Sequence, residues 1–219
     1  MMKGISASKG YAIGQVVIKT NEDIVIKERK IKDVDFEKNR LNEAIKLTRK
    51  QLELISKKAE NEVGKNNSAI FESHMMLLDD PEFIGMAQVN IENNMVNAEK
   101  ALQDVVIKYL DIFAAMEDEY MSERGADIKD VGNRIQANLA QKSYGTMDAI
   151  EENTVVVAKD LTPSDTAQLD KSKVIAFLTD TGGKTSHSAI MARTLEIPAV
   201  VGMNDITSKV KNGDTVIVD

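Results

Sequence analysis

With two histidines and no cysteine, the chain has few groups able to act as a nucleophile near neutral pH. One of them, His187, stands in the most unusual run of the sequence: Gly182-Gly183-Lys184-Thr185-Ser186-His187-Ser188-Ala189-Ile190-Met191-Ala192-Arg193. Paired glycines let the backbone turn tightly and approach a ligand closely. Thr185 or Ser186 is suited to cap a helix formed by Ala189 to Leu195, which places His187 in the first helical turn. A helix start offers free N–H groups and partial positive charge to a phosphoryl group. The same charge disfavours the imidazolium, leaving the neutral ring that can attack. Phosphoryl transfer through histidine is the chemistry these residues suggest. Two plainer readings stand beside it: a polar residue that happens to begin a helix, and a metal ligand. The second lacks a nearby histidine or a carboxylate at ligand spacing in the helix.

Other residues carry weaker signals. Asp160-Leu161-Thr162-Pro163-Ser164-Asp165-Thr166 has the composition of a turn leading into a helix cap. Arg193, six positions after His187, falls off the histidine's face and reads as structural, pairing with Glu196. His74, in a stripe with Met75 and Leu78, reads as a partly buried packing residue.

Two kinds of element must position these groups. Gly4, Gly10 and Gly14 precede Gln15-Val16-Val17-Ile18-Lys19, so the chain opens as a loop followed by a short strand. From about Asp33, Leu41, Ile45, Thr48, Leu52, Ile55 and Ala59 recur at helical spacing on one face. After a break at Gly64-Lys65-Asn66-Asn67, a second stripe runs through Ile70, Phe71, His74, Met75 and Leu78 to Asp79-Asp80-Pro81. Phe83, Met86, Ala87 and Ile91 suggest another helix. Asn97 is placed to cap a longer one through Ala98, Leu102, Val105, Tyr109, Phe113, Met116 and Tyr120. Ile128, Val131, Ile135 and Leu139 close the series. Past Tyr144-Gly145 the character changes to short β-branched runs at Thr154 to Val157, Val174 to Leu178, Ala199 to Val201 and Thr215 to Val218, with a helix at about Ser188 to Leu195. The reading is a small α/β domain, 1–30 with 144–219, interrupted by an inserted antiparallel helical bundle, 31–143. A freestanding coiled coil is the alternative for the insertion, and its glycine and proline breaks are too frequent for sustained heptads.

Composition narrows the function further. A net charge of −7 and no basic, aromatic-interleaved patch disfavour a nucleic-acid partner. The N-terminus lacks an apolar signal core and no run of 18 apolar residues occurs, so the simplest expectation is a cytoplasmic protein without a membrane span. Carboxylates are nowhere clustered as a metal site would need, and no cofactor is expected in this chain.

The stretch Gly182 to Gly202 resembles the active-site signature of Enzyme I of the phosphoenolpyruvate:sugar phosphotransferase system. Phe71-Glu72-Ser73-His74-Met75-Met76-Leu77-Leu78 and Glu123-Arg124-Gly125-Ala126-Asp127-Ile128 are similar to that family's helical insertion, and the resemblance extends over essentially the whole chain. The Gly-Gly-x-x-Ser-His core is shared with pyruvate phosphate dikinase and phosphoenolpyruvate synthase, whose mobile domains lack the insertion. The resemblance implies a swivelling phosphohistidine α/β domain in which His187, in the loop of Gly182, Gly183, Thr185 and Ser186, takes phosphate from phosphoenolpyruvate on Nε2 and passes it to a histidine phosphocarrier protein. It implies that the Thr166 hydroxyl bonds the imidazole. It also implies that Ala69, His74, Met76, Leu77, Asp80, Glu82, Phe83, Arg124 and Lys129 face the phosphocarrier, with Met76, Leu77 and Phe83 exposed. Pro81, Asn66 and Asn67 depart from the more acidic family pattern. A C-terminal domain binding phosphoenolpyruvate and Mg²⁺ is implied and is not contained in these residues. The rival readings are a dikinase-type mobile domain and a non-catalytic helical adaptor, and the adaptor leaves the glycine–histidine run unexplained.

Overall fold

The computed structural model describes residues 2–19, 24–63, 65–116, 119–142, 144, 150–170 and 172–219. Gly64, Ser143 and Gly145, where the sequence breaks its pattern, lie outside the described residues, as do the side chains of Asn66, Asn67, Tyr120 and Glu123. Two compact units emerge, Met1–Glu22 with Gly145–Asp219, and Asp23–Tyr144.

The first unit holds strands β1 (Ile5–Ser8), β2 (Ala12–Lys19), β3 (Thr154–Ala158), β4 (Val174–Thr179), β5 (Ala199–Val201) and β6 (Thr215–Val218) in one sheet of order β1-β5-β4-β3-β2-β6. The four central strands run parallel and the two edges antiparallel. The opening residues therefore form two strands, where one was expected, and they join the sheet at separate places. Crossing from β1 to β2 spans four strand spacings, ~19 Å in a flat sheet at ~4.8 Å each. Ser8 and Ala12 are only four Cα steps apart, a reach of at most ~14 Å. The sheet accordingly curls into a half-barrel. Every residue of β3 is buried, as parallel strands covered on both faces require. One core gathers Val16, Val155, Val157, Ala176, Leu178 and Val218 with Ile206 and Val210 from α8 (Ile206–Lys209) and the residues after it. The other crossovers carry α6 (Pro163–Thr166) and α7 (His187–Leu195).

The second unit is a helical bundle of α1 (Val34–Val63), α2 (Lys65–Leu77), α3 (Met86–Asn94), α4 (Ala98–Ala114) and α5 (Glu119–Leu139), with a π-helical turn at Pro81–Gly85 leading into α3. The stripe Leu41, Ile45, Thr48, Leu52, Ile55 and Ala59 is buried in full, packed on α2 and α5. A single helix was expected to run from Ala98 through Tyr120; instead α4 ends at Ala114 and α5 starts at Glu119. The acidic run Glu117-Asp118-Glu119 suits a helix start, where the macrodipole is positive, better than a helix interior. Asn97 does precede α4, but its side chain makes no cap; it bonds Arg29 N–H and the Lys27 carbonyl, while Glu37 from α1 accepts the Ala98 N–H at 3.0 Å.

Candidate active site

His187 is the first residue of α7 and is half-buried. Ser186 caps the helix: its Oγ accepts from Ala189 N–H at 3.4 Å and donates to the Gly183 carbonyl at 2.8 Å, while lying 3.0 Å from Ser188 Oγ. The cap hydroxyl thus ties the helix start to the glycine turn. Gly182 has φ +103°, and a Cβ there would stand 3.2 Å from Ser186 Oγ, so the position is reserved for glycine by backbone and space together. Thr185 and Lys184 are exposed and Gly183 is half-buried. From the far part of α7, Arg193 Nη1 donates to the carbonyls of Ala7 in β1 and Lys184 in the loop, both at 3.1 Å. This corrects the expected pairing with Glu196. Glu196 sits in the left-handed C-cap with φ 55°, and the guanidinium satisfies backbone acceptors instead.

The loop leaves the carboxyl end of β4, where Lys19, Ala158 and Thr179 end β2, β3 and β4 in mutual register. Asp180 N–H and Thr181 N–H donate to the carbonyls of Ala158 and Lys159, lacing the loops after β3 and β4 together. In open α/β sheets this end of the strands is where ligands bind. α6 packs against α7 there. The segment predicted as turn and cap is both: Thr162 and Asp165 form a reciprocal capping box, and Pro163 begins the single turn. Thr166 is 2% exposed and its hydroxyl donates back to the Pro163 carbonyl at 3.0 Å. Asp165 also meets Lys19 Nζ at 2.6 Å, with side-chain exposures of 0% and 9%. The sequence did not single out Lys19; a lysine at a strand end is normally a solvated group, and nothing local marks its distant partner.

In the helical unit the expected docking residues divide. Met76 is 70% exposed, Ala69, Glu82 and Lys129 are exposed, and Leu77, Asp80 and Arg124 are half-buried. His74 and Phe83 are not on the surface: they are 0% and 1% exposed. Phe83 fills the bundle beside Tyr109, their rings 6.0 Å apart, because the π-helical turn rotates it inward. His74, expected to be partly buried, is fully buried: it lies edge-on to Phe71 and its Nε2 stands 3.2 Å from Asp127 of α5. Asp127 is approached in turn by Arg124 Nη1 at 3.6 Å. Among the described residues no group of three or more His, Asp or Glu side chains is placed to hold a metal ion. No helix of the described residues is long and apolar enough to cross a membrane.

Comparison with known proteins places this geometry. Residues 3–124 match the family model "PEP-utilising enzyme, N-terminal" and residues 150–219 match "PEP-utilising enzyme, mobile domain". The chain is 47% identical over its whole length to the phosphoenolpyruvate-protein phosphotransferase of Enterococcus faecalis, and 46% identical over 99% of its length to that of Geobacillus stearothermophilus. It spans 38% and 37% of those two relatives. An NMR solution structure of Enzyme I superposes with a TM-score of 0.82 at 46% identity, covering all of this chain and 89% of that one. A structure described as the N-terminal domain of Enzyme 1 - Nitrogen follows at 0.67 and 26%, covering all of this chain and 90% of the other. With a glycine turn and a helix-start histidine at the carboxyl end of the half-barrel, and matches along nearly its whole length, the chain belongs to the PEP-utilising enzymes, as the N-terminal part of a protein of the Enzyme I type.

Proposed function

We propose that this chain carries a phosphoryl group on His187, received ultimately from phosphoenolpyruvate through a C-terminal domain of the longer protein, and exchanges it with a cytoplasmic histidine phosphocarrier protein in sugar uptake. The observation that carries the reading is the position of His187 as the first residue of α7, behind a glycine turn held by the Ser186 cap. In exchange with the carrier, the Nε2 lone pair of neutral His187 attacks phosphorus. The new N–P bond forms as the carrier's N–P bond breaks, and the carrier's imidazole leaves with that electron pair. No net proton is consumed when both rings keep their remaining N–H. Thr166 has a role consistent with this. Its O–H is committed to a carbonyl, so the hydroxyl oxygen has lone pairs left to accept an imidazole N–H, which would fix the tautomer that exposes Nε2. In the charged state the helix start supplies partial positive charge to the phosphoryl oxygens.

Docking of the carrier is assigned to the α2 end of the bundle, where exposed Met76 and half-buried Leu77 offer apolar contact and Asp80 and Glu82 attract a cationic rim. Mg²⁺ and phosphoenolpyruvate belong, in this reading, to the C-terminal domain. The test is incubation of the chain with phosphorylated histidine phosphocarrier. Acid-labile, base-stable phosphate on His187 is expected, with none on His187→Gln. A folded His187→Gln that still gains a phosphoryl mass refutes the assignment.

A further inference from the structure

α6 is one turn long, and a helix of four residues does not hold its own position. Two ties fix it. One is internal, the Thr162–Asp165 capping box, in which Asp165 Oδ2 accepts the Thr162 N–H at 2.9 Å. The other comes from the sheet: the same Oδ2 meets Lys19 Nζ at 2.6 Å. Lys19 is itself placed by the ladder of β2 on β3, which sets it opposite Ala158 at the strand ends. The tie therefore runs from the rigid sheet to the turn that carries Thr166, and that turn packs on the helix begun by His187.

The charges matter as well as the geometry. Asp165 is fully buried at the end of the sheet where, in the reading above, a doubly negative phosphoryl group is carried. A buried carboxylate without a counter-charge repels such a group strongly in a low-dielectric setting, and removing one member of a buried pair leaves that charge exposed to the field.

We propose that Lys19 is a positioning residue for phosphoryl transfer: it neutralises Asp165, the one carboxylate of that turn, so that a buried uncompensated charge neither displaces the turn that holds Thr166 beside His187 nor repels the phosphoryl group. The inference rests on the proposed transfer to His187. It asks that Asp165 carry no uncompensated charge, and does not ask that Lys19 touch the phosphoryl group.

The full 219-residue chain is used, with phosphorylated histidine phosphocarrier as donor and single-turnover uptake by His187 as the rate. Lys19→Met should slow uptake roughly 10- to 100-fold, the range expected when a reacting group is misplaced by about an ångström. Lys19→Arg, which keeps the charge, should recover most of the rate. Lys19→Met with Asp165→Asn should recover to within about threefold, because the side-chain amide oxygen at position 165 can still accept the Thr162 N–H and no stranded charge remains. The ¹⁵N resonances of the His187 imidazole should move in Lys19→Met and return in the double variant, which a mere loss of stability elsewhere would not produce. If Lys19→Met does not fold, the double variant decides: folded and near the wild-type rate supports the pair, folded and at least tenfold slow overturns it. Wild-type rates in a folded Lys19→Met also overturn it. Failure of the wild-type chain to accept phosphate at all would instead remove the proposed function on which this rests.

Discussion

Replacing Gly182 by alanine perturbs the loop at its most constrained point, and its neighbour supplies the control. At Gly182 the backbone has φ +103°, and a side chain held in such a region costs roughly 1–3 kcal/mol. The added Cβ would also stand 3.2 Å from Ser186 Oγ and 3.5 Å from Val201 Cβ. Val201 is buried in β5, so the hydroxyl must give way by a few tenths of an ångström. That displacement weakens the cap of α7, a feature worth about 0.5–2 kcal/mol. Together the two effects amount to roughly 2–4 kcal/mol, taking partial overlap into account. At Gly183 no atom lies within 4 Å of a built Cβ and φ is outside the left-handed range, so Gly183→Ala should fall within about 0.5 kcal/mol of wild type. Urea denaturation of the three proteins gives the stabilities, and single-turnover uptake of phosphate from the phosphorylated carrier gives the rates. Since Ser186 directly precedes His187, Gly182→Ala should also lose about tenfold or more in rate, whereas Gly183→Ala should lose little. Equal stability and rate for Gly182→Ala and wild type would refute the reasoning, as would two alanine variants that are equally impaired.

Arg193→Met removes the donor shared by the Ala7 and Lys184 carbonyls; a loss of roughly 1–2 kcal/mol is expected for this partly solvated clamp, with faster amide exchange at 182–186 measured by NMR. Gly132→Ala should destabilise the helical bundle by about 1–3 kcal/mol because its Cβ would stand 2.6 Å from Val106 Cγ2, and adding Val106→Ala should recover part of that in thermal melts. Burial pushes the Glu99 carboxyl up, but the hydrogen bond from Arg40, with help from Asn97 and its own backbone, outweighs this and holds it below the ordinary value. A depressed carboxyl stabilises the fold above the unfolded value of about 4.3 and loses that contribution as pH falls through the folded value. Arg40→Met should therefore cost about 2–3 kcal/mol at pH 7, and urea midpoints should show the gap to wild type closing on acidification below about pH 4.

Much of this architecture is legible because its signals are local. The stripe from Leu41 to Ala59 is a helical period that repeats along the middle of the 30-residue α1, and each member is buried. The runs at Thr154, Val174, Ala199 and Thr215 announce strands because β-branched residues between turns have few other uses. Gly182 to Arg193 carries turn, cap and the proposed nucleophile in one continuous segment, so the start of α7 at His187 follows from short-range rules. The break between α4 and α5 was missed because the apolar stripe continues in phase past Ala114 while the chain does not.

What tertiary structure alone decided are the matters that depend on distant partners. Ile5–Ser8 is too short and too polar to announce a strand; it becomes one by pairing with β5, nearly two hundred residues away. Phe83 was expected at the surface because the resemblance set it against the phosphocarrier, but in the π-helical turn it is buried beside Tyr109. Arg193 was within reach of Glu196 along the sequence, yet backbone carbonyls in β1 and the loop claimed it. The pairing of Lys19 with Asp165 links residues 146 positions apart. The sequence by itself determined which residues can do chemistry and which segments are helix or strand, since those rest on interactions within a turn or two. The structure decided which charge meets which carboxylate and which aromatic is inside, since those are fixed only when the sheet curls and the helices close on one another.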